Sequence, residues 1–299
     1  MSEVTHSVFY APLYVAINKG YMEEEGIKID LTSGQGSDVS MAALLSGNAD
    51  VALLGPETVV YVRANGSTNH PIIFGQLTKR DGAFLVSRTQ IDNFNWQTSL
   101  TNKTVIAGRR GGMPAMTFEW IVNSYGLING NNITLDTETA FAAMVPTFQG
   151  GKGDFCTMFE PTATEFATSG QGYIVASIGE VSGEIPYTCF MASRTFMQNH
   201  PNKIEGFLRA IKKAYTYIMT NDSTTVAQAL LPSFDGSTVE SLAYAITSYK
   251  SIDAWMSTPA MTESSYRRLL EVLRNANTLD ANTNINFSDV VDNSFALRI

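Results

Sequence analysis

The chain has 299 residues, 44% hydrophobic and 16% charged, with a formal net charge of −8 and a pI near 4.9. Such a composition suits a globular protein with room for two domains and leaves little for disorder. The acidic balance disfavours a nucleic-acid or anionic-membrane surface, and no apolar run approaches the roughly 18 residues of a membrane helix.

Met1-Ser-Glu-Val-Thr leads almost at once into strand-like sequence, with no signal peptide ahead of it. This fits a cytosolic protein or a mature form whose leader has been removed. Ser7–Tyr10 is predicted as a short strand, and Pro12 then opens a helix that Gly20 ends. Tyr21–Gly26 reads as a solvated acidic turn, and Ile27–Leu31 alternates as a strand does. Ser33-Gly-Gln-Gly-Ser-Asp38 runs into a helix over Val39–Ser46, with Ser37 or Asp38 as its cap. Its glycines free backbone N–H groups for a polar or anionic ligand, but neither a Walker lysine nor a GxGxxG pattern is present.

Gly47-Asn-Ala-Asp-Val-Ala-Leu-Leu-Gly-Pro-Glu-Thr58 carries the plan of the chain, because Gly151-Lys-Gly-Asp-Phe-Cys-Thr-Met-Phe-Glu-Pro-Thr162 repeats it. Gly47 and Gly151, Asp50 and Asp154, and Thr58 and Thr162 match at one constant offset, as do Ile29 with Ile133 and Leu31 with Leu135. Each copy reads as helix, Gly stop, Asp, short buried strand, then a Pro/Glu pair opening the next helix. A helix-to-strand unit written twice predicts two similar α/β lobes with the ligand site between them. Ligands of open α/β sheets bind beyond the carboxyl ends of the strands. Glu57 and Glu160 then stand on opposite walls.

Between the two copies, His70–Leu77 is a strand and Gly82–Ser87 the last strand of the first lobe, after which the chain crosses over. Lys103–Gly108 begins the second lobe, and Arg109-Arg-Gly-Gly-Met-Pro114 turns into a helix over Ala115–Tyr125. Phe141–Phe148 is a helix, Phe155–Phe159 a strand, and Thr162–Glu165 has capping-box spacing. Tyr173–Ile178 is a strand and Glu184–Ala192 a second crossing, back to the first lobe. The rest is helical, with a second capping box at Ser237–Glu240 and apolar stripes that read as core. The domain expectation is residues 1–87 plus 188–299 as lobe 1 and 88–187 as lobe 2.

No GxSxG elbow appears, and the three histidines share no metal-ligand spacing with each other or with the cysteines. Cys156 and Cys189 read as core thiols, with a disulfide left open. No metal or cofactor is expected. Glu57 and Glu160 suit recognition of amines or ring N–H groups, an acid/base pair across the cleft, or simple helix capping beside a proline. Phe9, Tyr10, Phe159 and Tyr187 supply flat rings near the cleft, which with carboxylates favours a flat nitrogen-containing ligand. Arg109 and Arg110, followed by Gly111, Gly112 and a helix start, favour a negative or carbonyl group unless the arginines are solvated. The expected contacts are Phe9, Tyr10, Ser37, Glu57, Arg110, Gly111, Gly112, Phe159, Glu160 and Tyr187.

Phe9–Gly26, Leu44–Ala52 and Phe196–Ala214 resemble the solute-binding proteins of ABC importers for nitrate, sulfonates, taurine and thiamine-pyrimidine precursors. The resemblance runs to about Asp222. It implies the type II periplasmic-binding-protein fold, an α/β fold with two lobes and two interlobe crossings that closes by hinge motion on a small-molecule ligand. It also implies a non-catalytic monomer that partners an ABC permease. Such a protein is exported and is either periplasmic or held at the membrane as a lipoprotein. The fungal thiamine-pyrimidine synthases are similar in Phe196–Ala214 and are the enzyme alternative. They carry a CCCFC cluster where this chain has Ile185-Pro-Tyr-Thr-Cys-Phe190 with one cysteine. A transcription-regulator effector domain is disfavoured, since no helix-turn-helix precedes it.

Overall fold

The computed structural model describes residues 1–299. The chain lays down β1 (Ser2–Glu3), β2 (Thr32–Ser33), β3 (Val51–Leu54) and β4 (Ile72–Thr78) before it leaves the first sheet. It then builds a second sheet from β5 (Ala83–Ser87), β6 (Thr104–Ile106), β7 (Thr134–Asp136), β8 (Phe155–Phe159) and β9 (Tyr173–Ser177). Finally β10 (Thr188–Ala192) returns to the first sheet. The spatial orders are β2-β1-β3-β10-β4 and β7-β6-β8-β5-β9. The two sheets therefore share one plan. Each has parallel strands and, in the fourth place, an antiparallel strand that enters by a crossing: β10 beside β3 and β4, β5 beside β8 and β9.

This corrects the expected boundary. Ala83–Ser87 belongs to the second sheet, not the first, and pairs along its whole length with Phe155–Phe159. Chain continuity with β4 hid this, because a strand buried on both faces looks alike in either sheet. Two other expected strands are absent. Val8–Tyr10 is a 3-10 turn begun by Ser7, whose hydroxyl accepts from Phe9 N. Ile27–Leu31 has no regular secondary structure, and strand pairing starts only at Thr32.

Helices cover both sheets. Pro201–Thr220 begins on its proline and turns Ile204, Phe207, Leu208, Ile211 and Ile218 inward, at the three-and-four spacing that makes one buried stripe. That stripe packs on Ala11–Asn18 of the first unit. The later helices bind both units at once. Val239–Ser251 packs on the Val8–Tyr10 turn and on the helix Thr162–Thr168, and Glu263–Asn275 packs on the helix Met113–Ser124. The expected capping boxes do not form: Glu165 accepts from Ser241 Oγ instead, and Thr238 caps the helix Val239–Ser251 alone. Similarly Gly36, not Ser37 or Asp38, occupies the cap of Ser37–Leu45.

The two crossings run side by side. Ile185 N donates to Lys79 O at 2.9 Å and Tyr187 N to Thr78 O at 3.2 Å. The Lys79 ammonium lies 2.7 Å from Asp253 and 3.7 Å from Glu184, which ties both crossings to the turn after the helix Val239–Ser251. No helix is long and apolar enough to cross a membrane.

Candidate functional site

A cavity of ≈ 840 Å³ lies between the two sheets, walled by the turns that follow β3 and β8 and by the second crossing. Its first wall grows from the Gly55-Pro56-Glu57 turn. Pro56 starts the helix Glu57–Ala64, and the Glu57 side chain folds back over Gly55. A Cβ on residue 55 would sit 2.1 Å from Glu57 Oε2, so only glycine leaves the carboxyl this room. Gly55 N in turn donates to Ser37 Oγ at 3.2 Å, which anchors the glycine-rich turn to the same wall.

Glu57 is 2% exposed and its Oε2 has no hydrogen-bond partner. Burial pushes its carboxyl up to about 8, against smaller pulls from its own backbone N–H and from Arg109. An unsatisfied buried carboxyl oxygen is costly, on the order of 1–3 kcal/mol, and at a cavity wall it marks a place for a guest.

Glu160, its counterpart after β8, has another fate. One oxygen accepts from Thr164 N at 3.0 Å, and the other from Thr164 Oγ1 at 2.7 Å and Ser248 Oγ at 2.9 Å. Its own N–H donates to Tyr249 Oη. This carboxylate holds the helix Thr162–Thr168 and the C-terminal helix Val239–Ser251 together, although the residue still borders the cavity. The acid/base reading thus loses one of its two members.

Of the residues proposed from sequence, Tyr10, Ser37, Gly112, Phe159 and Tyr187 also line the cavity. The Tyr187 hydroxyl faces the Asp81 carboxyl in the neighbouring crossing, and neither it nor Asp81 Oδ2 has a hydrogen bond. Burial pushes Asp81 up to about 7, although Ala83 N donates to its other oxygen at 2.7 Å.

Three expected contacts are elsewhere. Phe9 is fully buried, with its ring centroid 5.1 Å from Tyr249 and 5.7 Å from both Phe159 and Tyr187. It is the core ring on which the cavity rings rest. Arg110 points to solvent and pairs with Glu138 at 3.0 Å. Gly111 turns outward at φ +73, and its carbonyl accepts from Tyr61 Oη of the first unit.

Arg109 takes the place foreseen for Arg110. It lines the cavity and reaches Asp38 at 3.3 Å. His6 was not foreseen, because nothing in its local sequence marks it. It borders the cavity with both ring nitrogens committed, Nδ1 to the buried Glu3 at 2.8 Å and Nε2 to Ser233 O at 2.6 Å. A carbonyl only accepts, so Nε2 carries a proton. The hydrogen bond to Glu3 raises the His6 pKa. Tyr14 donates to the same carboxylate. Phe234, from the C-terminal helices, closes this end.

No group of three or more His, Cys, Asp and Glu side chains is placed to hold a metal. Cys156 in β8 and Cys189 in β10 are free buried thiols in different sheets.

Residues 5–231 match the profile of the NMT1-like family. The chain is 36% identical over 299 residues to YtlA of Bacillus subtilis (strain 168), a candidate binding protein, spanning 100% of this chain and 89% of YtlA. It superposes on the alkanesulfonate-binding protein SsuA from Xanthomonas axonopodis pv. citri, solved with MOPS bound. The TM-score there is 0.77 at 13% identity over 97% of each chain. A ligand-binding component of an ABC-type import system from Staphylococcus aureus, solved with zinc, gives 0.74 at 16% identity over 99% of this chain and 97% of that one. These likenesses establish the fold of the periplasmic binding proteins.

Proposed function

The chain belongs to the NMT1-like family, and on that premise we propose that it is the solute-binding protein of an ABC importer. It captures a small organic molecule between two lobes and presents it to a membrane permease. The lobes are residues 1–82 with 188–299, and 83–187, and they close about the paired crossings at Thr78–Gly82 and Gly183–Tyr187. The protein acts as a monomer outside the cytoplasmic membrane, free or lipid-anchored. The expected contacts Tyr10, Ser37, Glu57, Gly112, Phe159 and Tyr187 are kept as the binding set, with Arg109 in place of Arg110. The candidate solutes are a thiamine-pyrimidine precursor, a sulfonate or taurine, and a nitrate-like anion.

One observation carries this reading: an ≈ 840 Å³ cavity between two sheets of one plan, holding an unpartnered buried carboxyl oxygen. Its size and its mixture of aromatic rings with polar side chains are those of a small-molecule site. The relatives compared are named for binding and import, not for a reaction. The enzyme alternative gains nothing from Cys189, whose thiol is buried in β10 and pushed well above the usual range by that burial.

Native mass spectrometry of the protein as purified, joined to small-angle scattering with and without the recovered molecule, tests the proposal. A retained small molecule that shrinks the radius of gyration on re-addition is the expected result. Chemical conversion of that molecule by the protein would sink it.

A further inference from the structure

Apart from the phenols Tyr10 and Tyr187, five acidic or basic side chains face the cavity: His6, Asp38, Glu57, Arg109 and Glu160. Four are already paired. His6 is held by Glu3 and Ser233 O, Arg109 and Asp38 hold each other, and Glu160 has three donors. Glu57 is the one of the five that keeps a buried oxygen with no partner; the Tyr187 hydroxyl, also at the cavity, faces Asp81 instead. No unpaired cation meets the cavity, so an anion entering it would find only Arg109, and only by breaking the contact with Asp38. The lining also carries rings and thioethers, with Tyr10, Phe159, Phe141, Met113 and Met158, and neutral hydroxyls such as Ser37, Thr157 and Thr188. An anion would exchange its hydration for neutral donors with no free cation among them.

Resting on the proposed solute-capture role, we propose that Glu57 selects the ligand's charge. The cavity takes a compact flat organic molecule with a protonated, N–H-bearing nitrogen, directs that nitrogen at Glu57 Oε2, and rejects sulfonates and nitrate. The observation behind this is chemical complementarity. A buried carboxyl group lacking one partner is satisfied by an N–H donor, and it becomes an ion pair when the donor is cationic.

The proton count follows from the surroundings of Glu57. In the empty cavity its carboxyl is pushed up to about 8 and so holds a proton at neutral pH. A cationic nitrogen binds the carboxylate, and the displaced proton leaves to solvent. Binding therefore releases about one proton per ligand at pH 7. One feature favours the opposite charge: the N-terminus of the helix Met113–Ser124 has no acidic residue in its first turn. The test must weigh it directly.

Benzylamine and benzenesulfonate present the same ring with opposite charge, and benzamidine, 4-aminopyridine and nitrate complete the set. Thermal shift and calorimetry on the full chain are expected to show binding by the nitrogen bases alone. The heat should vary with the ionisation enthalpy of the buffer, as proton release requires. Glu57→Gln, close in shape to the protonated acid, should melt no lower than wild type, lose about tenfold or more in benzylamine affinity, and lose the buffer dependence.

Binding of benzenesulfonate or nitrate at least as tight as that of benzylamine overturns the charge assignment and leaves solute capture standing. Failure of every nitrogen base to bind, or a Glu57→Gln protein within about twofold of wild type, also overturns it. If no probe of either charge binds and the purified protein retains no small molecule, both readings fall.

Discussion

Arg109 and Asp38 meet at the rim of the cavity from opposite units, with guanidinium Nη2 3.3 Å from Asp38 Oδ1. Asp38 stands in the first turn of the helix Ser37–Leu45, beside the first sheet, and Arg109 in the turn after β6. No other ion pair spans the cavity. Both side chains are roughly half exposed, so solvent screening holds the pair to about 0.2–1 kcal/mol.

Asp38→Asn should therefore shift the balance between open and closed forms by only about 1.4- to 5-fold. Single-molecule FRET between labels on the two units measures it. The effect should fade toward 1 M salt, where the screening length falls to about 3 Å.

Glu57 and Glu160 occupy equivalent corners yet should respond in opposite ways. Glu160→Ala strips the acceptors from Thr164 N, Thr164 Oγ1 and Ser248 Oγ. It should cost about 1–3 kcal/mol in urea denaturation without altering which probes bind. Glu57→Gln should instead raise stability at neutral pH, where the folded wild type holds a proton that the unfolded chain has released.

The pH dependence of stability has a definite sign. Glu57 and Asp81 both have folded-state values raised by burial, to about 8 and about 7. Between their ordinary values and these, the folded state holds more protons than the unfolded chain. Their contribution is fully present below the ordinary carboxylate range, and is lost as pH rises through about 7 to 8. The slope cannot exceed about 1.4 kcal/mol per pH unit per group. Denaturation of wild type against Glu57→Gln from pH 5 to pH 9 should show the wild type falling behind as pH rises.

Two glycines give separable outcomes. At Gly82 an added Cβ would lie 2.6 Å from the Phe9 ring. Phe9 is locked among Tyr249, Phe159 and Tyr187, so Gly82→Ala should cost about 1–3 kcal/mol by overpacking the core beside a crossing. At Gly55 the Cβ meets the mobile end of Glu57. Gly55→Ala should fold, yet displace the carboxyl and weaken benzylamine about tenfold in calorimetry.

The doubled plan of the chain was legible because the Gly/Asp turn and the Pro/Glu corner are local signals, and they sit at equivalent ends of β3 and β8. The difference between the two corners was not legible. It depends on Ser248, which lies 88 residues from Glu160 in the chain and reaches it only after the C-terminal helix docks. Arg109 and Arg110 are adjacent in a glycine turn, and nothing local says which side chain faces inward. β1 is two residues long, Ser2–Glu3, too short for alternation to appear. Glu3 carries no local sign of burial yet is 1% exposed, and His6 and Tyr14 supply its partners. Phe9 was read as a ligand contact from its place beside a turn. The 3-10 geometry of Val8–Tyr10 instead carries it into the core, and Trp255 Nε1 donates to its carbonyl.

The strand that completes the first sheet is made last. Thr188 in β10 pairs with Thr78 across 110 residues of chain, and every strand of the second sheet is encoded between them. On the ribosome, the second sheet can close while β3 and β4 still wait with bare edges for a neighbour that has not been synthesised. Unpaired edges of that kind invite pairing with other chains. The same threading that sets a guest between two walls therefore also lets the unit encoded in the middle of the chain mature before the unit that holds both ends.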